Sequence, residues 1–352
     1  MKKFLFLSMT IIAALFGASC SNDNSDSLGI PEKGKQTAIG FKSFVEKNTK
    51  ALSTAPGDLK QDFWVYAYYD SIGDNSSVKL KPNFMNNQHV IYGASGFTYS
   101  PTKFWPETGD VNFYAYTPNT SKHITITKPA LADSLGYPVF TYTVDSVITS
   151  QEDLLVAQAE DQDGINGNVN FNFDHALTKI AVCARTAGNY QAQGATVKIT
   201  GITFSNIVNS KSFSFDRYTN ISDVSSWWAS LDPVTTASYS PRLGSSVTVP
   251  YYVTDTFLVV TPNDQSLLMI PQNFTGTSAN LRITYQISYS DGSATQFFTK
   301  DIPLNGTIAW NPGSFVNYAL TINLSMITFT ASLNDWNIAF QDISIIPEDD
   351  NE

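Results

Sequence analysis

Hydrophobic and polar positions alternate with a period of two along most of the chain, and this period predicts β-strands. Residues 168–174, Asn-Val-Asn-Phe-Asn-Phe-Asp, show it most clearly, and residues 281–289 repeat it with Leu, Ile and Tyr. Residues 63–69, Phe-Trp-Val-Tyr-Ala-Tyr-Tyr, are apolar on both faces, which is typical of a central strand covered on both sides. Helical periodicity is hard to find beyond the first twenty residues, so the pattern predicts an all-β protein.

The predicted strands recur at short spacing from about residue 37 almost to the end of the chain. Gly and Gln interrupt the pattern between residues 185 and 195. Because 352 residues suffice for two domains with separate cores, we expect two tandem antiparallel β-sandwich domains, over residues 37–188 and 189–352.

The N-terminal segment has the form of a secretory signal. Two lysines precede a thirteen-residue apolar stretch, which is too short to span a membrane. Residues 1–19 are therefore interpreted as a signal peptide. The polar residues 20–36 that follow show no periodicity, and they predict a flexible tether between the signal and the fold.

Cys20 is the candidate lipidation site. Residues 17–20, Gly-Ala-Ser-Cys, resemble a bacterial lipobox, in which the cysteine is acylated, for example with palmitate, and becomes the first residue of the mature protein. The alternative is an ordinary signal peptide with an incidental cysteine. Lipidation is favoured because the only other cysteine is Cys183, and a disulfide from a disordered terminus to a strand would be unusual.

Composition and charge narrow the classes of partner. Aromatic residues make up 13% of the chain and charged residues only 15%, so aromatic and β-branched packing is expected to stabilise the fold. The formal net charge is -10, and removal of Lys2 and Lys3 with the signal makes the mature chain more negative. Such a surface repels phosphate backbones, so we expect no nucleic-acid partner.

The candidate chemistry is sparse. His89, His123 and His175 are the only side chains with an ordinary pKa near neutrality that could act as a base, and His175 fits a hydrogen-bonded structural role better. Neither a nucleophile elbow, a zinc-protease helix motif nor a phosphate-binding glycine loop occurs. The acidic loop around Asp161 and Asp163 fails the EF-hand spacing and predicts a solvated turn. We therefore expect no enzyme, no cofactor and no metal.

Two aromatic pairs, Trp227-Trp228 and Tyr251-Tyr252, invite a glycan-binding interpretation, since flat rings stack on sugars. Adjacent residues of a strand point to opposite faces, so one ring of each pair is expected in the core. A glycan-binding surface lipoprotein that does not polymerise is the alternative function.

Short motifs along the chain add a resemblance to this picture. In order they are Phe-Trp-Val-Tyr-Ala-Tyr-Tyr at 63–69, Phe-Trp-Pro at 104–106, Val-Asn-Phe-Tyr-Ala-Tyr-Thr-Pro at 111–118, Asp-Leu-Leu-Val-Ala at 153–157, Phe-Asn-Phe-Asp-His-Ala-Leu-Thr-Lys-Ile at 171–180, Met-Ile-Pro-Gln at 269–272, Trp-Asn-Pro-Gly at 310–313 and Asn-Asp-Trp at 334–336. The ordered set resembles the fimbrillin-like surface lipoproteins, which include type V pilus subunits of Bacteroides-type bacteria.

The resemblance implies two transthyretin-like sandwich domains and export as a lipoprotein to the cell outer membrane. It also implies polymerisation with other fimbrial subunits, of the same or another kind, into a fimbrium that serves cell adhesion to a host or bacterial surface ligand. In such proteins a protease, often arginine-specific, cuts after the first strand, and the terminal strand of a neighbour fills the groove. The cut would fall here between Lys50 and Ala51, with lysine where many members have arginine.

By the same resemblance, residues 37–47 would be the removable first strand. Ile39 and Phe41 would face the groove, together with Phe44 or Val45.

Residues 337–346 would be the donor strand. Ile338 and Phe340 alternate there, and Ile343 and Ile345 resume the alternation after a shift of one residue. The alternative is that this tail is simply the last strand of its own domain.

Overall fold

Strands make up nearly all of the regular structure. The computed structural model describes residues 37–45, 57–71, 82–119, 122–128, 136–165, 167–218, 224–254, 256–324, 327–335 and 343–344. The strands are β1 (Gly40–Val45), β2 (Gly57–Asp58), β3 (Phe63–Asp70), β4 (Met85–Gly93), β5 (Gly96–Thr98), β6 (Asp110–Thr117), β7 (Ile124–Lys128), β8 (Val139–Thr143), β9 (Leu155–Gln162), β10 (Asn168–His175), β11 (Thr178–Thr186), β12 (Ala195–Val208), β13 (Ser210–Ser214), β14 (Trp228–Ser230), β15 (Thr236–Tyr239), β16 (Val247–Thr248), β17 (Thr256–Val259), β18 (Leu267–Met269), β19 (Asn280–Tyr289), β20 (Gln296–Pro303), β21 (Ser314–Ile322), β22 (Ile327–Asp335) and β23 (Ile343–Ser344).

Helical structure in the described residues is limited to short turns. They are α1 (Phe215–Tyr218) and the 3-10 turns Ile148–Ser150, Gln191–Gln193, Val224–Trp227 and Asn263–Gln265. None of these described helices is long and apolar enough to cross a membrane. The all-β class predicted from the alternation is confirmed.

The strands form four sheets. Their orders are β2-β1-β10-β9-β6-β3-β4-β5, β22-β21-β11-β17-β23, β15-β12-β19-β20 and β14-β13-β8-β7, with β16 added to β12 and β18 to β11. Most of the described pairs are antiparallel, as predicted, whereas β1 with β10 and β11 with β21 are parallel. Four pairings cross the predicted boundary near residue 188: β8 with β13, and β11 with each of β17, β18 and β21. Two separate sandwich domains therefore stay a prediction.

The eight-stranded sheet separates two hydrophobic cores. Its alternate residues enter the N-terminal core, whose largest members are Phe41, Phe63, Trp105, Phe113, Phe171 and Phe173. Tyr66 and Tyr68 of β3 and both tyrosines of β6 project from the other face, where Tyr116 meets Phe140 of the four-stranded sheet with ring centroids 5.3 Å apart. This explains why residues 63–69 are apolar on both faces.

The strictly alternating strands behave as predicted. On β10, Val169, Phe171 and Phe173 are fully buried, and the asparagines between them face away from the core. On β19, Leu281 and Ile283 are likewise buried. Alternation of this kind therefore identifies the core face without reference to neighbouring strands.

Candidate strand-exchange groove

β1, the strand that the family resemblance marks as removable, lies near one end of the eight-stranded sheet. It pairs in parallel with β10 over six residue pairs, from Gly40↔Asn168 to Val45↔Phe173. On its other side, β2 contributes only two residue pairs. Most of the regular pairing of β1 is thus with one neighbour, and loss of β1 would open that edge of β10.

The side chains of β1 alternate between the core and the surface. Ile39, directly before the strand, is 2% exposed, Phe41 is 7% exposed, and Val45 packs against the N-terminal core. Phe44 falls on the opposite side of the strand and is half-buried. The inward positions predicted at Ile39, Phe41 and Val45 are therefore observed, and removal of the strand stays a prediction.

Polar contacts hold β1 at its middle and at its start. The Ser43 hydroxyl donates to the Leu59 carbonyl at 3.0 Å, and the Leu59 amide donates to the Ser43 carbonyl at 3.1 Å. The Ile39 amide donates to the Lys103 carbonyl at 2.9 Å, while the Tyr99 hydroxyl donates to the Ile39 carbonyl at 2.9 Å. These bonds fix the register in which the inward side chains enter the core.

Phe41 occupies an aromatic pocket. Its ring stacks on Phe171 with centroids 5.7 Å apart and meets Phe63 and Phe113 edge to face at 5.8 and 6.1 Å. Tyr99 covers it at 5.4 Å. Burial of one such ring contributes roughly 1.5–3 kcal/mol. A chain without β1 would expose this pocket to water, and an incoming aromatic side chain could refill it.

β1, the second strand from one end of the sheet, and β5, the strand at the other end, line a common cleft of about 460 Å³. Phe97 and Tyr92 stand on the β5 side, and Lys42 and Lys60 stand near β1. Tyr92 is 36% exposed, and its ring meets Phe97 at 5.1 Å. β1 therefore has an open flank beside its paired one, which makes it a less enclosed strand than β3 or β6.

Several residues of the predicted exchange lie outside the described part of the chain. They are Cys20, Lys50, Ala51, Ile338, Phe340 and Ile345. In the tail, the backbone of Ile343 and Ser344 forms β23, in which Ile343 pairs with Phe257 and Ser344 with Thr256 of β17. Lipidation, cleavage and strand donation at these positions stay predictions.

Of the two aromatic pairs that invite a glycan-binding interpretation, Trp227-Trp228 is not a surface platform. Trp227 and Trp228 are 5% and 6% exposed, so both rings are buried in the core, whereas only one was expected there. Trp228 donates its indole N–H to the Ala176 carbonyl at 3.0 Å, and Trp227 packs against Tyr218 at 4.7 Å. The pair lies where α1 and a 3-10 turn interrupt the strands, so alternation did not apply.

The acidic segment turns directly after β9, and Asp161 still belongs to that strand. Asp163 accepts a hydrogen bond from the Ile165 amide at 3.0 Å, and the Asp161 amide donates to Asn112 at 2.8 Å. In the described part of the chain, no group of three or more His, Cys, Asp or Glu could hold a metal ion.

Histidine–carboxylate pairs are the feature that sequence reasoning missed. His175 Nδ1 lies 2.6 Å from Asp153 Oδ2, which confirms the hydrogen-bonded role expected for His175. His89 Nε2 lies 2.9 Å from Asp62 Oδ2. The partners are distant in sequence and carry no shared motif, so only the strand pairing that brings them together could have indicated them.

The fold and the groove define a class: an all-β protein of several sheets whose first strand is inserted in parallel beside β10. The family model described as fimbrillin-like matches residues 49–336. The chain belongs to the fimbrillin-like family, as the motifs of its sequence indicated.

Individual proteins are similar to this chain in sequence or in fold. Fimbrium subunit Fim1C of Phocaeicola vulgatus is 27% identical over 189 residues, which cover 49% of this chain and 49% of that protein. The chain thus aligns with about half the length of this curated relative. A crystal structure of a fimbrial protein from Bacteroides vulgatus has a TM-score of 0.67 at 24% identity, covering 86% of this chain and 100% of that one. A second crystal structure, of a protein from Parabacteroides distasonis, has a TM-score of 0.50 at 8% identity, covering 87% of this chain and 99% of that one, and it shows likeness of fold alone.

Proposed function

We propose that this protein is a structural or adhesive subunit of a fimbrium, exported as a lipoprotein through Cys20 and assembled by donor-strand exchange. The observation that carries the proposal is the setting of β1, which fills an aromatic pocket and has most of its regular pairing with β10. Membership of the fimbrillin-like family supports it. The proposal places the protein on the outer membrane and in the fimbrium, and it assigns no catalytic step to the chain.

Removal of β1 creates the driving force for assembly. Six residues of β10 lose their parallel partner strand, and the rings of Phe63, Phe113 and Phe171 lose Phe41. An open edge beside an apolar pocket is unstable in water, and a strand from another subunit restores both the backbone pairing and the apolar burial. Cleavage between Lys50 and Ala51 would release β1 together with the lipid.

The tail of the chain has the composition to replace β1. Residues 338–342 read Ile-Ala-Phe-Gln-Asp, and residues 39–43 read Ile-Gly-Phe-Lys-Ser. Both segments run apolar, small, aromatic, polar, polar. This match supports a register in which Ile338 takes the place of Ile39 and Phe340 that of Phe41. The donor would then be a second copy of this chain, or another subunit with the same pattern.

One position of this register differs sterically. A Cβ built on Gly40 would lie 2.0 Å from Asn168 Oδ1. Ala339 would carry that Cβ in the exchanged strand, so the Asn168 amide would have to rotate away. Since the amide is the flexible end of a side chain, the adjustment is local and leaves the register possible.

N-terminal sequencing of sheared surface filaments tests the role. Filaments of this subunit should begin at or near Ala51, and replacement of Lys50 by Gln should prevent that processing. The matched control is Lys47→Gln, which changes a lysine of the same segment and should be processed normally. Only Cys20-initiated protein, in cells that retain other filaments, would contradict a stalk role and favour a lipoprotein that does not polymerise.

Deletion of residues 338–346 tests the donor segment separately. The truncated subunit should still reach the surface and still accept a donor, yet fail to extend a filament. Unchanged filament length would show that this tail is not the donor.

A further inference from the structure

A groove separate from β1 lies along the part of the fold where the eight-stranded sheet meets β11 and β18. It consists of two adjoining clefts of about 410 and 380 Å³ that share Asp153 in their walls. We call it the Asp153 groove. The first cleft is lined by Gln61, Asp62, Trp64, Thr117 and Glu152, and the second by Gln151, Lys179, Asp264 and Ser266.

All three histidines of the chain surround this groove. His89 bonds Asp62 at 2.9 Å, and His175 bonds Asp153 at 2.6 Å. The ring of His123, nearly fully buried, has Nε2 3.8 Å from Glu152 Oε2. The three carboxylates that line the first cleft are therefore each associated with an imidazole.

These contacts restrain the carboxylates. Asp62 is held further by the Tyr92 amide, which donates to its other oxygen at 2.9 Å. The ring of His89 also stacks on Trp64, with centroids 4.4 Å apart and planes 3° from parallel. The acceptors and the indole of this cleft are thus fixed relative to one another before any ligand arrives.

Two polar atoms in the groove wall lack hydrogen bonds within the described structure. They are Asp153 Oδ1 and Ser266 Oγ, both nearly inaccessible to solvent as atoms. Ser266 as a residue is 7% exposed, so more than nine-tenths of it is buried. Leaving buried polar atoms without partners is costly to a fold, and such groups commonly have a functional partner.

We propose that the Asp153 groove binds a neutral oligosaccharide. A sugar hydroxyl both donates and accepts, and the groove offers acceptors at Asp62 and Asp153, a donor at Lys179 and a hydroxyl at Ser266. Trp64 supplies an apolar surface for the C–H face of a sugar ring. The two clefts in series suit consecutive rings of one chain.

The same groups disfavour other ligands. An anionic ligand would meet several carboxylates and a chain of net charge -10. Among the described residues, no His, Cys, Asp or Glu group has the geometry for a metal ion. The carboxylates of Asp62 and Asp153 already accept hydrogen bonds from histidines, so they do not require a cationic ligand.

The test is sugar binding by the full-length mature protein, measured by saturation-transfer NMR and calorimetry. The probes are maltotriose, cellotriose, mannotriose and N-acetyllactosamine. Binding of at least one probe is expected, and Ser266→Ala and Asp153→Asn should each weaken it by about tenfold. The control is Asp301→Asn, which breaks the exposed pair with Arg282 and should leave affinity unchanged.

Three outcomes would overturn the proposal. One is the absence of binding by the unmodified protein at roughly 10 mM of every probe. The others are unchanged affinity in folded Ser266→Ala, which removes only a buried hydroxyl, and tighter binding of a lysine-rich peptide than of any sugar. Filament assembly does not enter this measurement, so the strand-exchange proposal and the sugar proposal can fail independently.

Discussion

Phe41 of β1 stacks on Phe171 of β10, with ring centroids 5.7 Å apart and ring planes 12° from parallel. In the parallel register, Phe41 lies opposite Val169 and Ser43 lies opposite Phe171. The two rings are therefore diagonal neighbours on one face of the sheet. The contact thus joins the strand proposed to leave with the strand proposed to receive a donor. The stability of the uncut protein and the affinity for a donor depend on the same pocket.

Phe41→Ala should destabilise the uncut protein by about 3–5 kcal/mol, the range for removing a buried aromatic ring. In protein cut after Lys50 and stripped of β1, the same change should have no effect, since the ring has left. Urea unfolding of both forms measures the difference. Phe44→Ala, on the opposite side of β1, is the control and should cost much less. Equal losses at the two positions would contradict a pocket specific to Phe41.

Asp145 should make stability depend on acid pH. Its carboxyl pairs with the Lys122 ammonium and accepts from the Val147 amide at 2.8 Å, contacts that lower its pKa below the ordinary value. A lowered pKa in the folded state adds stability above the ordinary pKa, which is lost as pH falls through the folded value. Urea midpoints measured from about pH 5 to pH 2 should therefore fall less steeply in Asp145→Asn than in the unmodified protein. Parallel curves of urea midpoint against pH for the two proteins would contradict the assignment of this pH dependence to Asp145.

Cys183 should be unreactive in the native protein. Burial raises the pKa of its thiol to about 12, and Asn317 donates to its sulfur at 3.3 Å. In a Cys20→Ser background, a thiol reagent at pH 8 should label Cys183 only after unfolding, because the thiolate is the reactive form. Phe257→Ala should admit reagent to the native protein, since Phe257 packs with Cys183 in one small buried cluster. Fast labelling of the native Cys20→Ser protein, without a further substitution, would refute the burial of Cys183.

The sequence predicts strands and their faces well because alternation is a local property. Val169, Phe171 and Phe173 could be assigned to the core from their spacing alone, and the structure buries all three. The parallel pairing of β1 with β10 could not be foreseen, since no local pattern distinguishes a parallel neighbour from an antiparallel one. β21 shows a second limit: its stripe at Val316 and Tyr318 predicts one covered face, yet both faces are buried because of its neighbours.

The candidate site likewise contains residues that the sequence predicts and contacts that it does not. Ile39 and Phe41 follow from the alternation and from the family resemblance. The histidine–carboxylate pairs depend on which strands pair: His175 lies on β10, and the pairing of β10 with β9 brings it to Asp153. Trp227 and Trp228 were expected to split between core and surface, but the strand there is too short for alternation to decide.

The proposed donor register predicts a coupling between Ala339 of the donor and Asn168 of the receiver. A synthetic peptide of residues 336–346 should bind protein that lacks β1, and Phe340→Ala in the peptide should weaken binding by about 1.5–3 kcal/mol as one ring loses its pocket. Asn168→Ala in the receiver should strengthen binding of the unmodified peptide, because a Cβ at the Gly40 position would meet Asn168 Oδ1.

With an Ala339→Gly peptide, the same Asn168→Ala change should have no effect, so the two substitutions should be non-additive by about 0.5–1 kcal/mol. A double-mutant cycle of Ala339→Gly in the peptide and Asn168→Ala in the receiver cancels the backbone entropy cost of glycine, which would obscure the effect of Ala339→Gly measured alone. A second receiver variant, Asn170→Ala, alters an outward-facing asparagine of the same strand and serves as the control. If the effects of Asn168→Ala and Ala339→Gly are additive while binding still depends on Phe340, the donor lies in a different register.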